Sequence, residues 1–172
     1  CPVVVGVEIC EDLWVPLPPS SFQASAGATV LLNPSASNET IGKSQYRRDL
    51  VVGQSGRCMA AYAYAGSGPL ESTTDVVFGG HSLIAENGRL LEESSRVGDG
   101  HVIHRESYWI TQDVDVAVLL SDRRASTTFD QEGRYQKPVR RIAFELSKET
   151  PGLKRFVSGT PFVPAEGPEL HR

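Results

Sequence analysis

The tightest constraint on this chain is an apolar run that stops abruptly. Residues 3–9, Val-Val-Val-Gly-Val-Glu-Ile, are dominated by Val and Ile and lack the alternation of a strand with one wet face. The run predicts a strand from Val3 to Ile9 covered on both faces, and Cys10 ends it. Pro16, Pro18 and Pro19 prevent immediate continuation as strand or helix, so Glu11 to Ser20 is expected as a turn or loop. Ser20 or Ser21 can cap a short helix through Ala28, and Thr29 to Asn33 follows as the next strand. Strand, helix, strand at this spacing predicts a βαβ unit, and hence an α/β fold.

The remainder extends that pattern. Pro34 to Gly42 is polar and predicts a loop. From Lys43 to about Met59, Tyr46, Leu50, Val51, Gln54 and Cys58 recur at roughly helical spacing among charges, which predicts a helix. Ala60 to Ala65 predicts a third strand with Tyr62 and Tyr64 on one side, before a Gly- and Ser-rich loop from Gly66 to Thr74. Gly80 to Glu86 and Arg89 to Ser94 flank Asn87-Gly88, and a type I′ hairpin turn needs positive φ at both of its central residues. Trp109 to Asp115 is expected as a further strand, Val116 to Ala125 as a helix, and Val139 to Leu146 as a last extended segment. From Thr150, four prolines and three glycines predict a linker or extended tail, which divides the chain into a domain at 1–149 and a connector at 150–172.

Composition narrows the function classes. A chain of 172 residues with 40% hydrophobic and 22% charged side chains can bury a substantial core and is not of the disordered type. Net charge is −4 and the 17 Lys and Arg residues are scattered, which argues against nucleic acid as a partner. The longest apolar runs, such as Val116-Ala-Val-Leu-Leu120, are far too short to cross a bilayer, so no membrane association is expected. The start lacks the pattern of a secretory signal and opens on Cys rather than Met, which suggests an internal start. Cys1, Cys10 and Cys58 form no CxxC pair and have no histidine at ligand spacing. Free thiols in a reducing, cytoplasmic protein, with no metal held by this chain, are the expectation.

Among the motifs, Cys10 carries the most chemistry. An unpaired Cys beside a buried strand is usually a small hydrophobe. Its place matters, however, because functional groups in α/β sheets collect beyond the carboxyl ends of strands. There the N–H of Glu11 can face the same space as the thiol, giving a nucleophile and an oxyanion donor within one dipeptide. The acidic pair Glu11-Asp12 disfavours the thiolate, so a cation from elsewhere is required. Gly42-Lys43-Ser44 has the ending of a phosphate loop, but position 37 is Ser where that pattern needs Gly. Lys43 could instead hold a carboxylate. Glu71-Ser-Thr-Thr-Asp75 is either turn chemistry or the lining of a passage or interface, and the four histidines show no partner pattern.

Five segments taken in order resemble one family. Glu8-Ile-Cys-Glu-Asp-Leu-Trp-Val-Pro16, Asn33-Pro-Ser-Ala-Ser-Asn38, Gly42-Lys43, Tyr62-Ala-Tyr-Ala-Gly66 and Glu71-Ser-Thr-Thr-Asp75 look like the glutaminase domain of bacterial glutamine-dependent NAD synthetases. These form a branch of the nitrilase, or carbon–nitrogen hydrolase, superfamily. The likeness spans residues 3 to about 146, and the tail Thr160-Pro-Phe-Val-Pro164 resembles the approach to the family's synthetase domain.

The resemblance implies an α/β fold that is part of a nitrilase-type αββα sandwich, with a Glu-Lys-Cys triad. Cys10 matches the nucleophile, whereas the Glu and Lys lie upstream of Cys1 and have no counterpart here. Ser37 and Lys43 match positions that bind the amino-acid end of glutamine. Arg also occurs at the second, and Lys keeps the charge while giving up the bidentate fork. The implied chemistry is thiolate attack on the glutamine amide, with the oxyanion on the Glu11 N–H and the missing Lys. The missing Glu then protonates ammonia and activates water against the thioester. Ammonia would pass by a tunnel, for which the Glu71–Asp75 loop is a candidate lining, to a synthetase domain that uses ATP and Mg to amidate deamido-NAD.

A homo-oligomer is implied for the full-length protein. The excised piece is expected to be inactive, and to self-associate or require its missing half because half a sandwich exposes an apolar sheet face. Two other readings remain at this point. One is a nitrilase-type amidase with its own small substrate, and the other is a non-catalytic folding or interaction module.

Overall fold

The computed structural model describes residues 3–97, 109–131, 138–145, 155–156 and 159. Five strands form a single sheet in the order β1 (Val5–Val7), β2 (Val30–Ser35), β3 (Ala61–Gly66), β4 (Ser82–Glu86) and β5 (Arg89–Glu93). The first three run parallel, and β4 and β5 add antiparallel. Helix α1 (Pro19–Ser25) connects β1 to β2, and α2 (Lys43–Arg57) connects β2 to β3. Two further helices, α3 (Val116–Ala125) and α4 (Thr127–Gln131), follow the hairpin. The α/β fold read from the sequence is present, with the Asn87-Gly88 turn at φ +46° and +81° as a type I′ turn requires.

The core lies between the sheet and the helices. Leu31, Tyr62, Tyr64, Leu83 and Ala85 pack with Leu13, Ala24, Val51 and Cys58 in one buried cluster. Parallel strands place the carboxyl ends of β1, β2 and β3 at one edge of the sheet, together with the start of α2. Pro34 is tolerated within β2 because β1 pairs only as far as Leu32, so no ladder bond on that side needs its missing N–H.

Three expectations are corrected. The first strand is not covered on both faces: its burial alternates, and Val7 (52% exposed), Ile9 (62%) and Leu32 (36%) stand on an open side. The run of valines thus reflects an apolar face left uncovered by the described residues. Helix α1 starts on Pro19 and ends at Ser25, with no side-chain cap from Ser20 or Ser21. Proline suits the first helical position because that N–H needs no partner, and Ser20 is drawn inside instead. Residues 109–115 form no strand. They meet the hairpin through side chains, with Asp115 N–H donating to Glu86 at 2.6 Å and Gln112 to Glu92 at 3.4 Å, and Asp115 caps α3. Residues 139–144, expected as an extended segment, join no ladder of the sheet. They line a cleft of about 760 Å³ along the free edge of β1. Leu146, and most of the expected linker at 150–172, lie outside the described residues.

At the opposite edge from the strand carboxyl ends, one side chain closes both helices. Arg123 of α3 is 7% exposed, and its guanidinium donates to the carbonyls of Met59 (3.0 Å), Cys58 (2.8 Å), Ala28 (2.6 Å) and, more weakly, Ala24 (3.5 Å). Those carbonyls stand at or just beyond the ends of α1 and α2, where a helix leaves acceptors unpaired and its dipole favours a cation. Phe129 covers the guanidinium at 4.8 Å. Replacing Arg123 by Leu strands these acceptors in an apolar setting and should destabilise the fold by about 3 kcal/mol. Denaturant unfolding of the variant measures that loss; a change within about 0.5 kcal/mol would show the cap to be dispensable.

Candidate active site

Cys10 sits where the β1–β2 ladder gives out. The last backbone bond is Glu8 N–H to Leu32 carbonyl at 3.0 Å. Two residues on, the side chain of Asn33 replaces the ladder: its Oδ1 accepts from Cys10 N–H at 2.9 Å, and its Nδ2 donates to the Cys10 carbonyl at 3.3 Å. Cys10 takes φ +53°, a left-handed conformation that a side chain other than Gly adopts at a cost of about 1–2 kcal/mol. A 3-10 turn, Cys10–Trp14, begins there, closed by Asp12 N–H on the Ile9 carbonyl (3.1 Å) and Ile9 N–H on the Asp12 carboxylate (2.8 Å). Glu11 is the second residue of that turn, and the leading amides of such a turn have no acceptor within it. Trp14 then stacks on Tyr46 of α2 at 5.7 Å, tying the turn to the start of that helix. The thiol is free and half-buried.

Behind Cys10 lies a buried polar layer. Asn33 Nδ2 also donates to the Tyr62 hydroxyl at 3.1 Å, and that hydroxyl donates to Glu8 Oε1. The other Glu8 oxygen accepts from Ser20 N–H at 2.7 Å, in the first turn of α1. Burial, and then the hydrogen bond and charge of Glu8, push the Tyr62 phenol far up, so it stays protonated. Sequence reasoning missed this layer. Its signals were a carboxylate in an apolar strand, Val-Gly-Val-Glu-Ile, and an Asn at the end of the next strand.

The other two predicted site residues flank the loop after β2, at the same sheet edge as Cys10. Ser37 is buried and accepts from Arg47 Nη2 at 3.4 Å. Lys43 is the first residue of α2, behind a left-handed Gly42 (φ +80°), and its Nζ donates to Asn38 Oδ1. Lys43 is therefore engaged with its own loop and does not supply Cys10 with a cation through that contact. Cys58, the second free thiol, is a packed core residue pushed up to about 11 by burial, and hydrogen bonds with Gln54.

Arg47 was not anticipated. It is 1% exposed, lies 5.8 Å from the Tyr64 ring, and pairs with Glu39 at 3.4 Å. Its Nη1 lies 2.8 Å from His81 Nδ1, which must therefore accept. His81 then carries its proton on Nε2 and donates to Glu93 at 2.7 Å. Burial lowers the His81 pKa, with the Arg47 charge acting the same way, so this contact is a neutral hydrogen bond and not an ion pair. Burial tends to raise the Glu93 pKa, but the Arg48 fork at 2.6 and 2.7 Å and the His81 N–H together hold it below its usual value. The spacing 47, 51, 54, 58 puts Arg47 on the buried stripe of α2, which was the available signal. In the Glu71–Asp75 loop, Ser72 and Thr73 accept from Phe78, Asp75 and Val76 N–H groups at 3.0–3.2 Å, so these hydroxyls close the loop on itself. His101, His104 and His171 lie outside the described residues.

No model of a known protein family matches the chain. The glutamine-dependent NAD(+) synthetase of Mycobacterium tuberculosis is 45% identical over 175 aligned positions, which cover 98% of this chain and 25% of that protein. The enzyme of the same name from Mycobacterium leprae is 46% identical, over 99% of the chain and 25% of its own length. The chain thus spans about a quarter of the length of the curated relatives it matches. Among solved structures, a carbon-nitrogen hydrolase from Helicobacter pylori superposes with a TM-score of 0.53 over 76% of this chain and 46% of its own, at 18% identity, which bears on the fold alone. The chain belongs to the glutamine-dependent NAD synthetases, as a stretch of carbon–nitrogen hydrolase fold about a quarter of their length.

Proposed function

We propose that this chain is the C-terminal part of a glutaminase domain, and that Cys10 is its nucleophile. The observation that carries the reading is the left-handed Cys10 at the carboxyl end of a parallel strand, fixed by Asn33 at 2.9 Å, in a chain 45% identical to glutamine-dependent NAD synthetases. The Cys10 thiolate attacks the side-chain amide carbon of glutamine, and the oxyanion is met by the Glu11 N–H. Ammonia leaves with a proton, water cleaves the glutamyl thioester, and glutamate is released. The general-base Glu and the oxyanion-steadying Lys come from sequence preceding Cys1. Ser37 and Lys43 hold the amino-acid end of glutamine, where the Lys43 ammonium has to leave or share its contact with Asn38.

Residues 1–149 form the glutaminase portion and 150–172 the connector toward a synthetase domain, where ATP, Mg and deamido-NAD are used. Among the described residues no group of three or more His, Cys, Asp or Glu side chains is disposed to hold a metal ion. The open face around Val7 and Leu32 is completed by the rest of the domain, and the full-length protein is a cytoplasmic homo-oligomer acting on glutamine. No helix among the described residues is long and apolar enough to cross a membrane.

Three outcomes test the reading. In the full-length synthetase, Cys10→Ala should lower glutamine-dependent NAD formation by roughly a thousandfold or more while leaving ammonia-dependent formation intact. Retained use of glutamine would remove Cys10 from the mechanism. The 172-residue chain alone should release no ammonia from glutamine, because two triad members are missing, and robust turnover would show the triad assignment to be wrong. Lys43→Ala should raise the KM for glutamine by about tenfold or more with little change in kcat, the signature of lost ground-state binding. A fall in kcat at unchanged KM would place Lys43 elsewhere.

A further inference from the structure

A strand that ends on a left-handed residue other than Gly needs something to hold it there. At Cys10, with φ +53°, that restraint is one side chain from the neighbouring strand. Asn33 accepts from the Cys10 N–H at 2.9 Å and donates to the Cys10 carbonyl at 3.3 Å. Both polar groups flanking the Cys10 Cα are thus bonded to one planar carboxamide, and rotation about φ or ψ breaks one bond or the other. The thiol direction follows from this restraint. So does the direction of the Glu11 amide, because ψ of Cys10 orients that peptide.

A carboxamide can turn over, and a reversed Asn33 would face N–H with N–H and carbonyl with carbonyl. The layer behind it prevents this. Tyr62 hydroxyl donates to Glu8 Oε1, while the other Glu8 oxygen is held by Ser20 N–H at 2.7 Å. With its own proton committed, the Tyr62 oxygen presents a lone pair, which takes Asn33 Nδ2 at 3.1 Å. The raised Tyr62 pKa keeps that polarity unchanged over the working range. Glu8, Asn33 and Tyr62 are 2%, 1% and 0% exposed, so water offers them little alternative.

We infer that Asn33 is a positioning residue for glutamine hydrolysis, acting through the Cys10 backbone, with Tyr62 and Glu8 keeping its carboxamide in the required orientation. This rests on Cys10 being the nucleophile. No contact between Asn33 and glutamine is needed. A relaxed turn displaces the thiol and the Glu11 N–H from the attack geometry while Ser37 and Lys43 still bind substrate, so the defect falls on kcat.

The test uses full-length synthetase with Asn33→Ala, Asn33→Asp, Tyr62→Phe and Cys10→Ala, assayed with glutamine and with ammonia. Asn33→Ala should lower glutamine-dependent kcat by about ten- to a hundredfold, with KM within about twofold and ammonia-dependent synthesis unchanged. Asn33→Asp keeps an acceptor for the Cys10 N–H but sets a charge where the donor stood. It should therefore also shift the pH profile of Cys10 alkylation by iodoacetamide upward, because a nearby carboxylate disfavours the thiolate. Tyr62→Phe should show a smaller loss of kcat in the same direction.

A merely structural Asn33 would lower the melting temperature yet leave the kcat of the folded enzyme and the alkylation profile where they were. That result, or a rise in KM alone, overturns the inference. If neither Asn33 variant folds, an unchanged kcat in Tyr62→Phe overturns it and a lowered one supports it. Glutamine turnover by Cys10→Ala would remove the nucleophile reading and this inference together. An inactive Cys10→Ala beside fully active Asn33 variants would remove the inference alone.

Discussion

A carboxylate withdrawn from water at the end of β1 organises the functional edge of this fold. Glu8 is 2% exposed, and a carboxylate in that position is tolerated only if donors replace its hydration. The first turn of α1 supplies one through Ser20 N–H, and β3 supplies another through the Tyr62 hydroxyl. Tyr62 in turn takes a donor from Asn33 on β2, and Asn33 brackets Cys10. One charge thereby fixes three strands and a helix relative to the residue that ends β1. The carboxylate also does for α1 what its serines were expected to do, since an acceptor at a helix N-terminus satisfies an orphan N–H wherever in the chain it originates.

Two buried guanidinium groups divide the remaining polar work between the two edges of the sheet. Arg123 meets backbone carbonyls near the ends of α1 and α2, which makes it a structural cap. Arg47 lies near the start of α2, where the helix dipole disfavours a cation. It is compensated there by Glu39, stacked near Tyr64, and backed by the His81–Glu93–Arg48 chain. The same guanidinium reaches Ser37 and the Asn38 carbonyl, so the loop that carries Ser37 and leads to Lys43 is held from below by a group with little freedom. Rigid support of this kind is what a site made of loop residues requires.

Much of this was legible from local pattern. The Asn87-Gly88 turn, the tyrosines of β3, the span of α3 and the position of Cys10 at a strand end follow from turn stereochemistry, side-chain alternation and helical period. The misreadings share one cause. The valines of residues 3–7, broken only by Gly6, read as a strand covered on both sides, because an apolar residue declares a preference for burial without naming what will cover it. Residues 109–115 had strand composition, but they meet the hairpin through side chains and Asp115 is committed to capping α3. Arg47 and Asn33 were visible on their periodic faces, yet a polar residue on a buried face looks like noise until its partners are known.

The sequence by itself determined the α/β class, the order of β1 to β5 with α1 to α3, the nucleophile candidate and, through ordered motifs, the family. These depend on short-range periodicity, backbone stereochemistry and residue identity, which are local. Only the tertiary structure decided that Asn33 clamps Cys10, that Glu8 sits behind it through Tyr62, and that Arg47 supports Ser37. Those contacts join residues 10 to 54 positions apart in the chain. Their strength comes from burial, which removes competing water, and burial is a property of the folded assembly rather than of any one segment.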